Sequence, residues 1–128
     1  MSYDYDDQNI FAKILRGVIP CTKALETEHS FAFHDIQPQA PVHVLVIPKG
    51  PYVNLEHFAE AASDAEIADF HRAVGQVARE TGVAEAAGGG GYRIIANTGP
   101  DGRQDVAHFH FHVVGGERLG RMLPKRPE

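Results

Sequence analysis

The sequence predicts an α+β fold built on an antiparallel sheet, with one long and one short helix. Two observations carry this. The elements run in the order short helix, strands, long helix, strands, rather than as alternating βα units. Valine- and isoleucine-rich runs such as PVHVLVIPKG and YRIIANT are short and set among turn residues, as strands of a small sheet are.

The elements follow in order. DDQNIFAKILRGVIP reads as the short helix: Asp6 or Asp7 caps it, Ile10, Phe11, Ile14 and Leu15 form its apolar stripe, and Gly17 with Pro20 ends it. CTKALETE and SFAFHDI read as two strands around a turn at Glu28 to Ser30, and PVHVLVIPKG as a third. Residues 63–81, SDAEIADFHRAVGQVARET, open with Ser63 and carry Glu66 three positions on, the capping-box spacing. Ile67, Phe70, Val74, Val77 and Ala78 then fall on one helical face. The glycine run at 88–91 reads as a mobile connection. It precedes the strand YRIIANT, whereas a phosphate loop follows a strand and opens a helix. GPDGRQDVA is a turn-rich loop, and HFHFHVVGG is the final strand.

Length and charge narrow the classes. The 128 residues suit a single domain spanning 1–128, with residues 1–8 as an N-terminal arm and the basic, Pro-ended 117–128 as a C-terminal arm. A formal net charge of −5 argues against nucleic-acid binding, which calls for a basic excess, yet leaves room for a small anion held by local donors. No apolar run is long enough to span a bilayer, so no membrane partner is expected. The acidic start MSYDYDDQN lacks the basic-then-apolar pattern of a signal peptide, and the expected location is the cytoplasm. The lone Cys21 rules out an internal disulfide.

HFHFHVVGG is the segment that asks for chemistry. Side chains alternate along a strand, so His108, His110 and His112 share one face while Phe109, Phe111 and Val113 share the other. Adjacent histidines then sit about 6.6 Å apart, close enough for two rings to converge on one small group. Three readings fit the residues alone. One is a solvated or hydrogen-bonded face, one a metal site using the commonest zinc ligand, and one acid–base and nucleophilic catalysis by rings that titrate near neutrality.

With IFAKILRGVIP, FAFHDIQPQAPVHVLVIPK and HFHFHVVGG in this order and spacing, the chain resembles the histidine triad family, specifically its nucleotide-binding, nucleoside phosphoramidase branch in bacterial form. The likeness runs from about Ile10 to Leu123. Residues 108–114 fit the family's alternating motif at every position, and the closing Gly115–Gly116 resembles the phosphoramidase branch rather than the dinucleoside-polyphosphate branch, which typically has Pro-Arg there.

The resemblance implies the histidine triad fold, with a sheet extended across a homodimer and one purine mononucleotide site in each protomer. It implies that His110 attacks the α-phosphorus, that His112 bonds the phosphate and helps protonate the leaving group, that His108 orients its neighbours, and that His43 supports the set. It places the base pocket on Ile10, Phe11, Ile14, Phe33, Ile36 and Leu45, the ribose carboxylate on Asp35, and an active-site amide on Asn97. The loop Arg103, Gln104, Asp105 and Val106 would face the phosphate. The implied reaction is hydrolysis of purine nucleoside 5′-monophosphoramidates through a nucleotidyl-histidine, releasing AMP or GMP and an amine, with no cofactor. A dinucleoside polyphosphate hydrolase and a nucleotide-binding regulator with weak catalysis are the alternatives.

The chain departs from the family pattern at several positions. Ser30 and Pro51 stand where some members carry zinc-binding cysteine and histidine, so no metal is expected. The C-terminal tryptophan of the animal proteins is absent. Arg103 and Asp105 replace the glycine and serine of the usual Gly-Gln-Ser-Val, and Asp105 is expected to turn from the phosphate towards Arg103 or the loop N–H groups. His29, His34, His57 and His71 are expected to lie outside the chemistry.

Overall fold

A computed structural model describes residues 3–127. Three helices, α1 (Ile10–Leu15), α2 (Leu55–Ala61) and α3 (Asp64–Glu80), accompany five strands: β1 (Lys23–Glu26), β2 (Ser30–His34), β3 (Val42–Pro48), β4 (Tyr92–Ile95) and β5 (Phe111–Gly115). The strands form one sheet in the order β1-β2-β3-β5-β4, and every neighbouring pair is antiparallel. The α+β architecture read from the sequence is therefore the one the chain adopts, with one helix more than expected.

That extra helix is α2. The Asn54 side chain caps it by accepting from the His57 N–H, and Phe58 is its single buried residue. Its brevity hid it: one buried position makes no stripe. At α1 the cap is Asn9, whose side chain accepts from the Ala12 N–H, rather than Asp6 or Asp7. Asp6 instead accepts the Gln8 N–H in the turn before it. α3 begins as expected, with Ser63 and Glu66 exchanging both capping-box bonds.

β3 is buried on both faces, which explains why it reads as an unbroken apolar run rather than an alternation. Val44 and Val46 enter the larger core beneath α3, with Phe58, Phe70, Val77, Phe109 and Val113. Leu45 and Ile47 face the other way, into a smaller cluster with Phe11 of α1 and Phe33 of β2. The small cluster carries α1 across the sheet, and the functional cleft opens beside it.

The glycine run at 88–91 is a packed turn, not the mobile connection expected from composition. The N–H groups of Gly88, Gly89 and Gly91 bond the carbonyls of Glu85, Ala84 and Val83. A side chain at Gly89 would overlap the Gly82 carbonyl, so close backbone approach is what requires glycine there. The C-terminal arm holds no helix or strand among the described residues and lies along β4, where the Arg93 guanidinium donates to the carbonyls of Gly120 and Arg121. Among the described residues no helix is long and apolar enough to cross a membrane.

Candidate active site

The alternation of HFHFHVV divides its side chains as read from the sequence. Phe109 and Phe111 pack under α3 against Phe70, at ring-centroid distances of 5.1 and 5.0 Å. The histidines face α1, where the Phe11 ring stands edge-on to His110 at 4.9 Å. One expectation needs correcting: the ladder of β5 starts at Phe111, not at His108. The register Val46↔Phe111 would bring Phe109 opposite Pro48, which has no N–H to give, and pairing stops. The Phe109 N–H turns instead to the Tyr52 carbonyl, 2.7 Å away.

Backbone groups fix the protonation of each ring. His110 Nδ1 lies 2.8 Å from the His108 carbonyl, which can only accept, so Nδ1 carries the proton and Nε2 keeps its lone pair. The Gln39 N–H donates to His43 Nδ1 at 3.0 Å, which puts the His43 proton on Nε2. That proton is donated to His112 Nδ1, 2.9 Å away, leaving the His112 proton on Nε2. A bare nitrogen on His110 and an N–H on His112 thus stand on adjacent rings, 5.0 Å between centroids. His108 is wholly buried behind them, its Nε2–H donating to the Pro48 carbonyl at 2.8 Å.

Burial keeps all four rings neutral. It holds His108 and His112 down at about 4, and for His112 the neighbouring His110 and His43 act in the same direction. His110 and His43 are also lowered by burial, against the opposing pull of nearby carboxylates. A neutral imidazole with a free lone pair at neutral pH is a nucleophile; an imidazolium is not.

The rings open into a cavity of about 290 Å³ beside α1. Ile10, Phe11, Ile14, Phe33, Ile36 and Leu45 all line it, together with Asp35, Asp105, Val106, His110 and His112. Asp35 is anchored by the Gln37 N–H at one oxygen, and its other oxygen lies 3.5 Å from His43 Nε2. Asn97 lies elsewhere, in a second hollow beyond His112 that Arg93 also lines, with its amide donated to the Gly102 carbonyl. Gln104 braces the loop, giving its amide N–H groups to the carbonyls of Val53 and Val106. Arg103 is exposed and left-handed, with φ 59°, a conformation that suits the glycine it replaces.

Asp105 does not behave as expected. Among the described residues it has no ion pair with Arg103 and no hydrogen-bond partner. It lines the cleft, and its charge favours the protonated forms of His110 and His112. The short loop was read as letting the two charges meet; Arg103 is instead an exposed residue at positive φ with no ion pair to Asp105 among the described residues.

Ser30 also has a definite place. Its hydroxyl and that of Thr27 both donate to Asp69 of α3, which accepts the His29 N–H as well, tying the β1–β2 turn to the long helix. His57, expected to lie outside the chemistry, has a structural place: its Nδ1 accepts the Val53 N–H and its ring stacks on Tyr3 at 4.5 Å. His34 is exposed at the cleft's edge, and His71 bonds the Ile67 carbonyl in its own helix. Asp35, His43 and His112 offer three possible ligand atoms within 4.8 Å of one another. A cation could sit there only by taking the proton that His43 donates to His112.

Fold and cleft together define a small α+β protein that presents paired neutral histidines beside an apolar, carboxylate-edged pocket. The HIT domain family model matches residues 16–119, and the chain belongs to that family. An uncharacterised HIT-like protein of Azospirillum brasilense is 58% identical, over 98% of this chain and 99% of its own. The purine nucleoside phosphoramidase of Escherichia coli K12 is 38% identical, over 91% of this chain and 94% of its own. Among solved structures, a HIT family hydrolase from Clostridium thermocellum superposes with a TM-score of 0.81 at 38% identity, covering 91% of this chain and 98% of that one. Family membership and a phosphoramidase relative support a hydrolase or nucleotide-binding protein.

Proposed function

We propose that the protein hydrolyses purine nucleoside 5′-monophosphoramidates through a nucleotidyl-histidine at His110. The observation that carries this is the fixed pair of protonation states: a bare His110 Nε2 next to a His112 Nε2–H, at the end of a pocket shaped for a flat base. Ile10, Phe11, Ile14, Phe33, Ile36 and Leu45 take the purine, and Asp35 accepts from the ribose hydroxyls. His110 Nε2 forms a bond to phosphorus as the P–N bond to the amine breaks. The amine takes one proton from water in the open cleft as it leaves, while the His112 Nε2–H, oriented by His43, stays hydrogen-bonded to the phosphoryl group. Water then attacks phosphorus and returns one proton to solvent, the P–His110 bond breaks, and AMP or GMP departs. Charge on the phosphoryl oxygens is met by the His112 N–H and by backbone N–H groups of the 103–106 loop, which Gln104 and Asn97 brace.

The test is turnover of adenosine and guanosine phosphoramidates carrying different amines, beside a dinucleoside polyphosphate, each with and without a chelator. Release of AMP or GMP from the phosphoramidates at a rate the chelator leaves unchanged is expected. Preference for the polyphosphate, or loss on chelation restored by zinc, overturns the reading.

The proposal extends to a homodimer of cytoplasmic location. β4 is an edge strand, and Tyr92, Ile94 and Ile95 expose 44%, 37% and 37% of their surface along it. An edge strand with exposed apolar side chains invites a second strand, and the same edge of a second copy would continue the sheet. Sedimentation should give about twice the 14.0 kDa chain mass. A fully active species of monomer mass would overturn this part.

A further inference from the structure

The mechanism leaves one buried contact unused. His108 is fully buried, yet both of its ring nitrogens are engaged. Nε2 donates to the Pro48 carbonyl, and the remaining nitrogen, Nδ1, lies 2.6 Å from the hydroxyl of Tyr5. With the ring proton on Nε2, Nδ1 can only accept, so the phenol donates. Burial pushes the Tyr5 phenol up, which keeps it a neutral donor. The Tyr5 ring also stands edge-on to His108, at 5.5 Å and 69°.

Tyr5 reaches this place because the arm before α1 is tied at both ends. On one side Tyr3 stacks on His57, 11° from parallel, and its hydroxyl donates to Glu56 of α2. On the other, the Asn9 side chain caps α1 and also donates to the Asp6 carbonyl. Residues 3–9 therefore cross the back of the histidine set as a strap, and Tyr5 is its inward-facing member.

We infer that Tyr5 is a positioning residue for the histidine triad: its hydroxyl holds the setting of His108 in the tautomer that the Pro48 carbonyl selects, and through His108 the aim of His110. The link is the His108 carbonyl, which accepts the His110 Nδ1–H at 2.8 Å. A His108 ring held at both nitrogens holds that carbonyl still. Without the hydroxyl, Nδ1 is a buried lone pair with no donor, and an unsatisfied buried polar atom is costly. The ring then turns or changes tautomer to find a partner, the Pro48 bond weakens, and the carbonyl at 108 moves. His110 loses the contact that keeps its proton on Nδ1 and its lone pair facing the cleft. The kinetic consequence rests on the phosphoramidase reading; the claim that Tyr5 positions the His108 and His110 rings does not.

Tyr5→Phe tests it, because the ring packing stays and the donor goes. The first measurement is the ¹⁵N–¹H long-range spectrum of the histidine rings at neutral pH without substrate. The wild type should show His108 with a hydrogen-bonded, unprotonated Nδ1. In Tyr5→Phe that signal should shift and the His110 signals with it, while those of His71 stay put. The second measurement is steady-state kinetics, where kcat should fall by about tenfold with KM changed by less than about twofold. Tyr3→Phe, which removes the neighbouring hydroxyl of the same strap, should change neither.

Unmoved His110 signals in Tyr5→Phe, or equal effects of Tyr3→Phe, overturn the inference. A wild type that turns over no phosphoramidate overturns the substrate reading, while the ring spectra still decide the role of Tyr5.

Discussion

His110→Ala should abolish the proposed phosphoramidate turnover, lowering kcat by about four orders of magnitude or more, because it removes the atom proposed to form the covalent intermediate. Nucleotide binding should survive, since the proposed purine and ribose contacts lie on α1, β2 and β3 and on the loop after β2. The substitution has a structural cost too. His110 is 5% exposed, and its Nδ1–H satisfies the His108 carbonyl, so a loss of about 1–3 kcal/mol is expected from the unpaired acceptor and the space left. His110→Gln, which refills part of that space, separates a chemical from a folding defect. Rapid quench of the wild type followed by mass spectrometry should find a nucleotide on His110. Turnover by folded His110→Ala within about tenfold of wild type would remove His110 as the nucleophile.

Much of this arrangement was legible in the sequence, for physical reasons that differ by element. The capping box at Ser63 and Glu66 set the start of α3 because both partners are local, three residues apart. The alternation in HFHFHVV told which side chains share a face, since strand geometry leaves no choice. Contacts between distant segments were not legible. Tyr5 and His108 are 103 positions apart, and no local pattern marks a phenol as the donor to a buried imidazole. Asp105 and Arg103 illustrate the opposite error. Two residues of separation suggested an ion pair, but among the described residues none forms, and Arg103 takes a positive φ that spacing alone does not reveal. The glycine run was misread because composition reports flexibility, whereas the packing of Gly89 against Gly82 depends on residues that only the fold brings near.

Acid should unfold this protein sooner than its carboxylates would, because the histidines are buried neutral. His108 and His112 are held at about 4, against an ordinary value of 6.5. Between those values the unfolded rings bind protons that the folded rings refuse. Stability therefore rises with pH across this window and is lost as pH falls through it. By about pH 4.5 each ring should cost about 2–3 kcal/mol, and His110 and His43, lowered in the same direction, add to the loss. Against the opposing effect of burial, Asp69 and Glu66 are lowered by the hydrogen bonds they accept, so their contribution is lost only as pH falls through their ordinary values and below, at the acid end of this window. A total of roughly 5 kcal/mol is comparable to the whole stability of many domains of this size. Urea unfolding at about pH 7.5 and pH 4.5 measures the loss. His112→Asn keeps an acceptor for the His43 N–H but cannot titrate, so it should narrow the gap between the two conditions by about 2–3 kcal/mol. A wild type equally stable at both pH values would show that the rings are not held neutral. At pH 4.5 the proposed nucleophile would then be protonated and lack the lone pair on which its chemistry depends.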